Sequence, residues 1–271
     1  MSINARSWRG WQIPIHTSEE YSSARIESID TINLLNKFSE GMEVAVVAGF
    51  QGLAPDGRIT TLGRGGSDTS AVALSGALKA ERCDIFTDVD GIYTTDPRVC
   101  AKARKLKKIS YEEMLELASL GAKVLQTRSV ELATRHKVRL RVLSSFSEEY
   151  DINDGTYVCS EGEIVENKVI AGVAFSRNEA KITVTGIADR PGIAASIFNQ
   201  LSEQTINVDM IVQNISENGL TDMTFSCPID QVSRAEEALR KDKEKNSLEY
   251  NQLVIDKEIA KVSIVGIGMK A

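Results

Sequence analysis

The sequence contains no long apolar run. The longest one near its start is residues 44–48, and residues 1–16 contain no stretch long enough for a secretory signal. A transmembrane helix needs about 20 consecutive, mostly apolar residues. We therefore expect a cytoplasmic protein that makes no contact with a membrane.

Residues that bind metals or form disulfides are also few. The chain has two histidines, His16 and His136, and four cysteines without a C-x-x-C pair. The cysteines are Cys83, Cys100, Cys159 and Cys227. Zinc sites and disulfide frameworks need closely spaced residues, so we expect reduced, structural cysteines and no metal held by the protein.

Basic residues are not in excess. The chain has 32 Lys and Arg against 38 Asp and Glu, a formal net charge of -6. This balance argues against a surface that neutralises nucleic-acid phosphates, although a local cationic site is compatible with it. We expect no nucleic acid partner. With 271 residues, 42% of them hydrophobic, the chain is long enough for two folded domains.

The first half shows alternating strand and helix patterns. Residues 44–48 form a continuous apolar run, as expected for a strand buried on both faces of a parallel sheet. A glycine-rich loop follows, then a helix over residues 69–80 that begins at Ser67 or Asp68, and a strand over residues 83–87. This order predicts a parallel pair joined through the helix, with its loops at one edge of the sheet.

A capping box marks the next helix. Ser110 and Glu113 have the spacing at which each satisfies the other's backbone N–H, and Gly121 is a plausible end. A second helical stretch covers residues 124–136, and residues 139–143 are predicted to form a closing strand.

The polar stretch of residues 144–167 separates a second pattern from the first. We place a domain boundary within it, near residue 165. After it come a strand with Ile182 and Val184, a turn at residues 189–192, and a helix with Ile193, Ile197 and Leu201. Strands over residues 207–212 and 221–226, a capping-box helix at residues 233–236 and a strand at residues 252–255 follow. The order β-α-β-β-α-β is that of a ferredoxin-like α+β sandwich.

A short internal repeat ends the chain. Residues 180–187 (AKITVTGI) recur in similar form as residues 260–267 (AKVSIVGI). A single short match can arise by chance, but the spacing equals one small domain. We therefore predict that a second copy of the module begins near residue 260.

Residues 60–78, TTLGRGGSDTSAVALSGAL, are the strongest motif. A turn of this composition that enters a helix offers free backbone N–H groups, a helix dipole and a guanidinium, all of which favour an anionic ligand. The alternative is a flexible surface loop before a capped helix. Two adjacent glycines disfavour it, because a simple connector does not need their conformational cost.

Residues 86–98, FTDVDGIYTTDPR, form the second motif. By itself this segment is a strand that ends in an acidic turn, and a solvated loop is an equally good interpretation.

Both motifs resemble those of aspartate kinases. Residues 49–52 (GFQG) followed by residues 60–69 are similar to that family's aspartate-binding stretch. The resemblance implies that Arg64 holds a substrate carboxylate and that Gly65, Ser67 and Asp68 line the same pocket. The second motif is similar to the nucleotide loop of amino-acid kinases. It implies an ATP site formed by Thr87, Asp88, Tyr93, Asp96, Arg98 and Lys123, although Lys123 can also be a plain surface lysine.

The reaction implied is transfer of the γ-phosphoryl group of Mg²⁺-ATP to the β-carboxylate of L-aspartate, the first step towards lysine, threonine and methionine. The tail resembles an ACT domain, which binds small amino acids at a subunit interface. This implies feedback by lysine or threonine and a homo-oligomer formed through ACT pairing. The implied effector-binding residues are Asp189, Arg190, Gly192, Ile193, Ala194, Asn207 and Gln213. Asp189 as a turn former and Gln213 as a polar strand end are the alternatives.

The sequence also departs from that family. Aspartate kinases begin with a Lys-Phe/Tyr-Gly-Gly-Thr/Ser segment that contacts the phosphates, and neither it nor the acidic substrate helix after it occurs here. We expect a partial kinase domain over residues 1–165, an ACT-type domain over residues 166–259 and the start of a second repeat over residues 260–271. The fold class expected is α/β followed by ferredoxin-like α+β.

These departures carry further expectations. Apolar sheet surface should be uncovered around residues 44–48, and the isolated chain should be an oligomer without kinase activity. The alternative from another class is a non-catalytic regulatory subunit that senses an amino acid. Glutamate or acetylglutamate kinase fits less well, because those chains lack an ACT tail.

Overall fold

A computed structural model describes residues 2–122, 124–147, 154–164, 170–214, 219–244 and 249–266. The chain divides into two compact units. Unit 1 comprises Met1–Ala174 with Ser263–Ala271, and unit 2 comprises Phe175–Val262. The boundary predicted near residue 165 falls outside the described residues, as does Lys123.

The described part of unit 1 is a mixed α/β structure. Its strands are β1 (Ala5–Trp8), β2 (Ile15–Thr17), β3 (Ile26–Ile29), β4 (Val44–Val47), β5 (Gln51–Leu53), β6 (Ile59–Thr61), β7 (Cys83–Thr87), β8 (Lys108–Ser110), β9 (Leu140–Ser144) and β10 (Thr156–Cys159). Its helices are α1 (Ile32–Ser39), α2 (Gly66–Ala77), α3 (Tyr111–Ser119) and α4 (Thr127–His136). The predicted strands at residues 44–48, 83–87 and 139–143 are present to within one residue at either end.

Strands β1 to β10, as the structure describes them, form three sheets. β1 pairs with β4 in parallel, a four-stranded sheet has the order β3-β2-β5-β6, and another has the order β7-β9-β10-β8. In the last sheet β7 and β9 are parallel, with Cys83 opposite Leu140 and Thr87 opposite Ser144. Parallel neighbours need a long crossover, which here passes through α3 and α4.

The predicted pairing of residues 44–48 with residues 83–87 is wrong. In the described structure β4 pairs with β1, whereas β7 pairs with β9. The chain after β4 first forms the β5–β6 hairpin, which belongs to a different sheet. Local apolar patterns identify strands but not their partners, because the partners are distant in sequence.

β4 is also less buried than predicted. Val44 is 40% exposed and Val46 is 57% exposed, so one face of this strand is not covered within the described chain. The prediction of a strand buried on both faces is therefore wrong. The prediction of uncovered apolar surface around residues 44–48 is confirmed.

The main core of unit 1 lies between the β7–β9 sheet and the helices. Ile85, Val142 and Val158 point from the sheet towards Met114 of α3 and Val130 of α4. A smaller cluster around Trp8, Ile13, Leu34 and Met42 packs beneath α1.

The capping box before α3 is confirmed. Ser110 Oγ accepts from the backbone N–H of Glu113 at 3.1 Å, and Glu113 Oε2 accepts from the N–H of Ser110 at 3.2 Å. α3 ends at Ser119, two residues before Gly121. α4 begins at Thr127, three residues later than predicted.

Unit 2 has the predicted β-α-β-β-α-β order. Its elements are β12 (Ala180–Ala188), α5 (Ile193–Glu203), β13 (Ile211–Gln213), β14 (Leu220–Cys227), α6 (Val232–Glu244) and β15 (Gln252–Asp256). The sheet order is β13-β14-β12-β15, and all three pairs are antiparallel. Ile193, Ile197 and Leu201 face its core from α5, as their helical spacing predicts.

One predicted helix start in unit 2 is wrong. α6 begins at Val232, so Ser233 lies inside the helix and not at its cap. A 3-10 turn, Ile229–Gln231, leads directly into α6, and Val232 is buried in the core. Packing of Val232 therefore sets the start, two residues earlier than a helix capped by Ser233 would begin.

Two more strands pair with each other, β11 (Gly172–Ser176) and β16 (Lys261–Val265). Within unit 1, the N–H of Ala171 donates to the carbonyl of Val265 at 2.8 Å. β16 coincides with the predicted repeat at residues 260–267, of which residue 267 lies outside the described chain. None of the described helices combines the length and apolarity required to cross a membrane.

Candidate functional site

A glycine turn forms the start of helix α2. Gly63 and Gly65 have φ values of 76° and 68°, and Gly65 caps the helix. A Cβ atom on Gly65 would lie 1.9 Å from Cγ of Gln126, so both the conformation and the space require glycine. Arg64 lies between these two glycines and is exposed.

A second loop folds over the same helix start. The N–H of Phe50 donates to Ser70 Oγ at 3.1 Å, and Ser70 Oγ donates to the carbonyl of Ser67 at 2.9 Å. A Cβ atom on Gly49 would meet Ser70 Oγ at 2.9 Å. The structure thus brings together the two halves of the first motif, residues 49–52 and 60–69. We call this arrangement the acceptor loop.

Arg128, at the start of α4, fixes the acceptor loop from the other side. Its guanidinium donates to the carbonyl of Leu62 at 2.7 Å and to the carbonyl of Ala24 at 2.8 Å. Arg128 was not among the site residues predicted from the sequence. No local signal marks it, because its partners lie 66 and 104 residues away.

The two charged residues of the acceptor loop, Arg64 and Asp68, differ in how far they are exposed to solvent. Among the residues that the structure describes, no carboxylate forms an ion pair with Arg64. Ser67 is exposed, whereas Asp68 is half-buried in the first turn of α2, and burial raises the pKa of its carboxyl. Arg64 and the exposed helix start are therefore available to an anionic ligand.

The second motif begins where β7 ends. The carbonyl of Thr87 accepts from both the N–H and the Oγ of Ser145, each at 2.8 Å, and Thr87 Oγ1 donates to Asp88 at 3.2 Å. Residues 88–107 then leave the sheet before β8. We call them the nucleotide loop.

The nucleotide loop has a paired stem. Tyr93 and Lys105 form an antiparallel bridge, and the N–H of Thr94 donates to the carbonyl of Arg104 at 2.9 Å. The N–H of Leu106 donates to the carbonyl of Ile92 at 2.8 Å. Despite its irregular sequence, the loop therefore has a defined base.

An aspartate and an arginine occupy the tip of this loop. Arg98 donates to Asp96 through its backbone N–H at 2.9 Å, its Nε at 3.0 Å and its Nη2 at 2.8 Å. The hydrogen bond to Asp96 raises the pKa of Arg98, whose side chain is 83% exposed. The guanidinium is thus held in place at the surface.

Asp90 joins Tyr93 and Lys105, and neither Asp90 nor Lys105 was among the site residues predicted from the sequence. The hydroxyl of Tyr93 and the Nζ of Lys105 each donate to Asp90 at 3.0 Å. Burial opposes ionisation of Asp90, but the hydrogen bonds from Lys105 and Tyr93 outweigh it and lower the pKa of the carboxyl. Burial and the bond to Asp90 raise the pKa of Tyr93.

The acceptor loop and the nucleotide loop lie on the same side of unit 1. α2 packs against β7 and is joined to it by residues 78–82. Two packed elements joined by so short a link run in opposite directions. Their lengths match, since 12 helical residues span about 18 Å and five strand residues about 17 Å. The start of α2 is therefore close to the end of β7.

The residues proposed for the effector occupy two ends of unit 2. Asp189, Arg190 and Gly192 form the exposed turn before α5, with Gly192 at φ 90°, and Ile193 and Ala194 begin that helix. Gln213 ends β13, which runs in the same direction as β12, but its partner Met223 also faces Val184, so Gln213 is level with Val184 and does not reach this turn.

Asn207 lies towards the other end of unit 2. Its N–H donates to the side chain of Gln231 at 2.8 Å, and its neighbour Asp209 pairs with Ser226. The N–H of Asp189 instead donates to the carbonyl of Gly219, which precedes β14 and so lies at the opposite end of that strand from Ser226. A single copy of unit 2 does not bring Asn207 to this turn.

Known proteins are similar to this chain in both sequence and structure. The model of the amino acid kinase family matches residues 2–144, and that of an ACT domain matches residues 182–242. Aspartate kinase of Pseudomonas putida is 48% identical over 270 residues, which cover 99% of this chain and 64% of that protein. The chain therefore spans less than two thirds of the length of this relative.

Two solved structures of Escherichia coli aspartokinase III are also similar. The complex with lysine and aspartate in the T-state has a TM-score of 0.72 and 30% identity, covering 97% of this chain and 57% of that chain. The complex with aspartate and ADP in the R-state has a TM-score of 0.69 and 29% identity, covering 97% and 58%.

Proposed function

We propose, from the premise that this chain belongs to the amino acid kinase family, that it supplies the substrate loops and the amino-acid sensor of an aspartate kinase. The reaction is transfer of the γ-phosphoryl group of ATP to the β-carboxylate of L-aspartate. The observation that carries the proposal is Arg64, exposed without an ion-pair partner in the described chain, on a turn in which Gly65 has no room for a side chain.

The acceptor carboxylate of aspartate has to be bound in position, but no residue has to remove a proton from it. A carboxyl group with a pKa of about 3.9 is already ionised at neutral pH, so no general base is needed. Arg64 can grip a carboxylate through two parallel N–H groups, and the first N–H groups of α2 add a second anion site. In phosphoryl transfer the protein mainly positions two anions and offsets the developing charge.

The nucleotide loop is the proposed ATP site. Thr87 and Asp88 are fixed at the end of β7, and the tip presents Arg98, held by Asp96. The similar E. coli enzyme is described with aspartate and ADP, which supports the proposal that a chain of this fold takes part in nucleotide binding. Lys123 stays part of this assignment but lies outside the described residues.

Magnesium is proposed only as a companion of ATP. The described residues contain no group of three or more His, Cys, Asp and Glu side chains that could hold a metal ion. Mg²⁺ in kinases is bound largely by substrate phosphates and water. Here the ion would arrive with ATP and neutralise part of the charge of its phosphates. No step of the proposal depends on a metal site built by the chain.

Unit 2 is the proposed sensor. One E. coli structure is described with lysine as well as aspartate, so we propose lysine, ahead of threonine, as the feedback amino acid. β13 is an edge strand with Ile211 and Val212 each 51% exposed, which supports pairing of unit 2 between copies of the chain. We propose a cytoplasmic homo-oligomer.

A second candidate is a regulatory polypeptide that senses an amino acid without transferring phosphate. It is favoured by the complete β-α-β-β-α-β order of unit 2. This candidate requires an effector to bind but no turnover.

A chimera distinguishes the two candidates. The matched region of the P. putida enzyme is replaced by this chain, and ADP release is measured with and without aspartate. We expect release that needs both ATP and aspartate. A folded chimera that binds lysine but releases no ADP would support the second candidate instead. The matched control is the unmodified P. putida enzyme at the same concentration.

A further inference from the structure

Thr156 is a fully buried residue at the base of the nucleotide loop. It is the first residue of β10 and has no exposed surface. Its Oγ1 accepts from the N–H of Ile92 at 2.8 Å and lies 2.6 Å from the carbonyl oxygen of Leu106. The carbonyl of Ile92 is farther away, at 3.4 Å. Since a hydroxyl has one proton, it is donated to the nearer oxygen, that of Leu106.

These contacts close the stem of the loop. Ile92 and Leu106 already share one bond, from the N–H of Leu106 to the carbonyl of Ile92. The remaining N–H of Ile92 and carbonyl of Leu106 are the two groups that Thr156 satisfies. Both lie beside a buried hydroxyl, where unpaired polar groups are costly.

The backbone is shaped to let this hydroxyl approach. Gly91 has a φ of 152°, and a Cβ atom placed on it would lie 2.7 Å from Thr156 Oγ1. Any side chain at position 91 would therefore push the stem away from Thr156. The glycine and the threonine form one contact, although they are 65 positions apart in the sequence.

We propose that Thr156 is a positioning residue, which fixes the stem of the nucleotide loop and thereby the residues at its tip. Fixing Ile92 and Leu106 restrains the neighbouring Tyr93–Lys105 bridge. That bridge in turn restrains the tip, where Asp96 and Arg98 lie. The effect on nucleotide binding rests on the proposed function. The effect on the stem does not.

The experiment compares three variants of the full chain. Thr156→Val keeps the shape but removes the hydroxyl, and Thr156→Ser keeps the hydroxyl. Thr183→Val is the matched control, because it removes a hydroxyl 3.0 Å from that of Thr224 in unit 2. Amide hydrogen exchange at Ile92 and Leu106 and the dissociation constant of ADP are measured for each.

We expect Thr156→Val to speed exchange at both amides roughly tenfold, about the effect of losing one net hydrogen bond. ADP should bind several-fold more weakly to this variant. Thr156→Ser should restore both values, and Thr183→Val should change neither. If Thr156→Val does not fold, Gly91→Ala displaces the same hydroxyl and should give the same acceleration.

Three outcomes would overturn the inference. They are unchanged exchange in Thr156→Val, equal acceleration in Thr183→Val, and a loosened stem that binds ADP as before. If the unmodified chain binds no ADP, the proposed nucleotide role fails, while the exchange data still decide whether Thr156 holds the stem.

Discussion

Arg64 is the residue on which the acceptor assignment depends. It is exposed, lies between two glycines with positive φ and has no ion-pair partner among the described residues. In the chimera, we expect Arg64→Ala to cost roughly 2–4 kcal/mol in kcat/KM for aspartate, because a bidentate grip has no neutral substitute. The loss in kcat/KM for Arg64→Lys should be smaller than that for Arg64→Ala but not zero, since lysine keeps the positive charge without the two parallel N–H groups.

The matched control for Arg64 is Arg135. It is another exposed arginine of unit 1, in the last turn of α4, and should be replaceable by alanine without effect. Steady-state kinetics with varied aspartate and varied ATP separate the two substrates. Unchanged constants for aspartate in Arg64→Ala would remove the acceptor assignment.

Alanine substitutions at Gly65 and Gly57 distinguish the cost of a steric clash from the cost of backbone strain. Both have positive φ, 68° and 81°, but a Cβ atom at position 65 would meet Gln126 at 1.9 Å, while nothing lies within 4 Å at position 57. We expect Gly57→Ala to cost about 1 kcal/mol. Gly65→Ala should cost at least about 2–4 kcal/mol, because overpacking adds to the strain.

Urea unfolding of unit 1 measures this difference. Equal losses at positions 57 and 65 would show that the contact with Gln126 does not constrain the turn. Replacing Gln126 by alanine in the Gly65→Ala background should recover part of the loss, since it removes the side chain in conflict.

At the scale of elements, Asp84 links two parallel strands. It lies on β7 and accepts from Arg141 of β9 at 3.1 and 2.6 Å, and from Arg82 as well. Burial acts to raise the pKa of Asp84, but the hydrogen bonds from Arg141 and Arg82 outweigh it and lower the pKa. Such a carboxyl stabilises the fold above its unfolded pKa, and this contribution is lost as pH falls through the folded value.

We therefore expect Asp84→Asn to reduce the free energy of unfolding by about 1–3 kcal/mol at pH 7. The difference in free energy of unfolding between this variant and the unmodified chain should shrink below pH about 4, where the carboxyl becomes protonated in the unfolded chain. Glu237→Gln, which breaks an exposed surface pair with Lys241, is the control and should leave the free energy of unfolding nearly unchanged at both pH values. A loss that is the same at pH 3 and pH 7 would contradict the assigned role of the charge.

Local signals predicted most of the elements. The capping box at Ser110, the strand at residues 83–87 and the helical spacing of Ile193, Ile197 and Leu201 each depend on neighbours within one helix or strand, and each is present. The pairing of β4 and the start of α6 at Val232 depend on packing partners far along the chain, and there the predictions are wrong.

The same distinction applies to the candidate site. Arg64 and the nucleotide loop stand out in the sequence because their glycines and aspartates are consecutive. Arg128 and Thr156 do not, since each acts on backbone groups at least 50 positions away. Such residues become visible only when the fold places them beside the loop they hold.

At the scale of the whole molecule, unit 2 should bind a feedback amino acid. The turn from Asp189 to Gly192 presents the free N–H groups of α5 to a ligand carboxylate. We expect lysine, or failing that threonine, to release or absorb heat in a calorimetric titration of the oligomer. Asp189→Ala should weaken binding, whereas Asp230→Ala, an exposed aspartate elsewhere in unit 2, should not. Absence of heat with both amino acids on a folded oligomer would contradict the sensor assignment.

The most direct test of the central claim is the identity of the phosphoryl acceptor. The chimera is incubated with ATP labelled in its γ-phosphoryl group and, in separate reactions, with L-aspartate, L-glutamate or N-acetylglutamate. The account predicts that label appears on the β-carboxylate of aspartate, and that Arg64→Ala abolishes most of this transfer. Label on glutamate or N-acetylglutamate in preference to aspartate, or transfer to aspartate that is unaffected by Arg64→Ala, would contradict it.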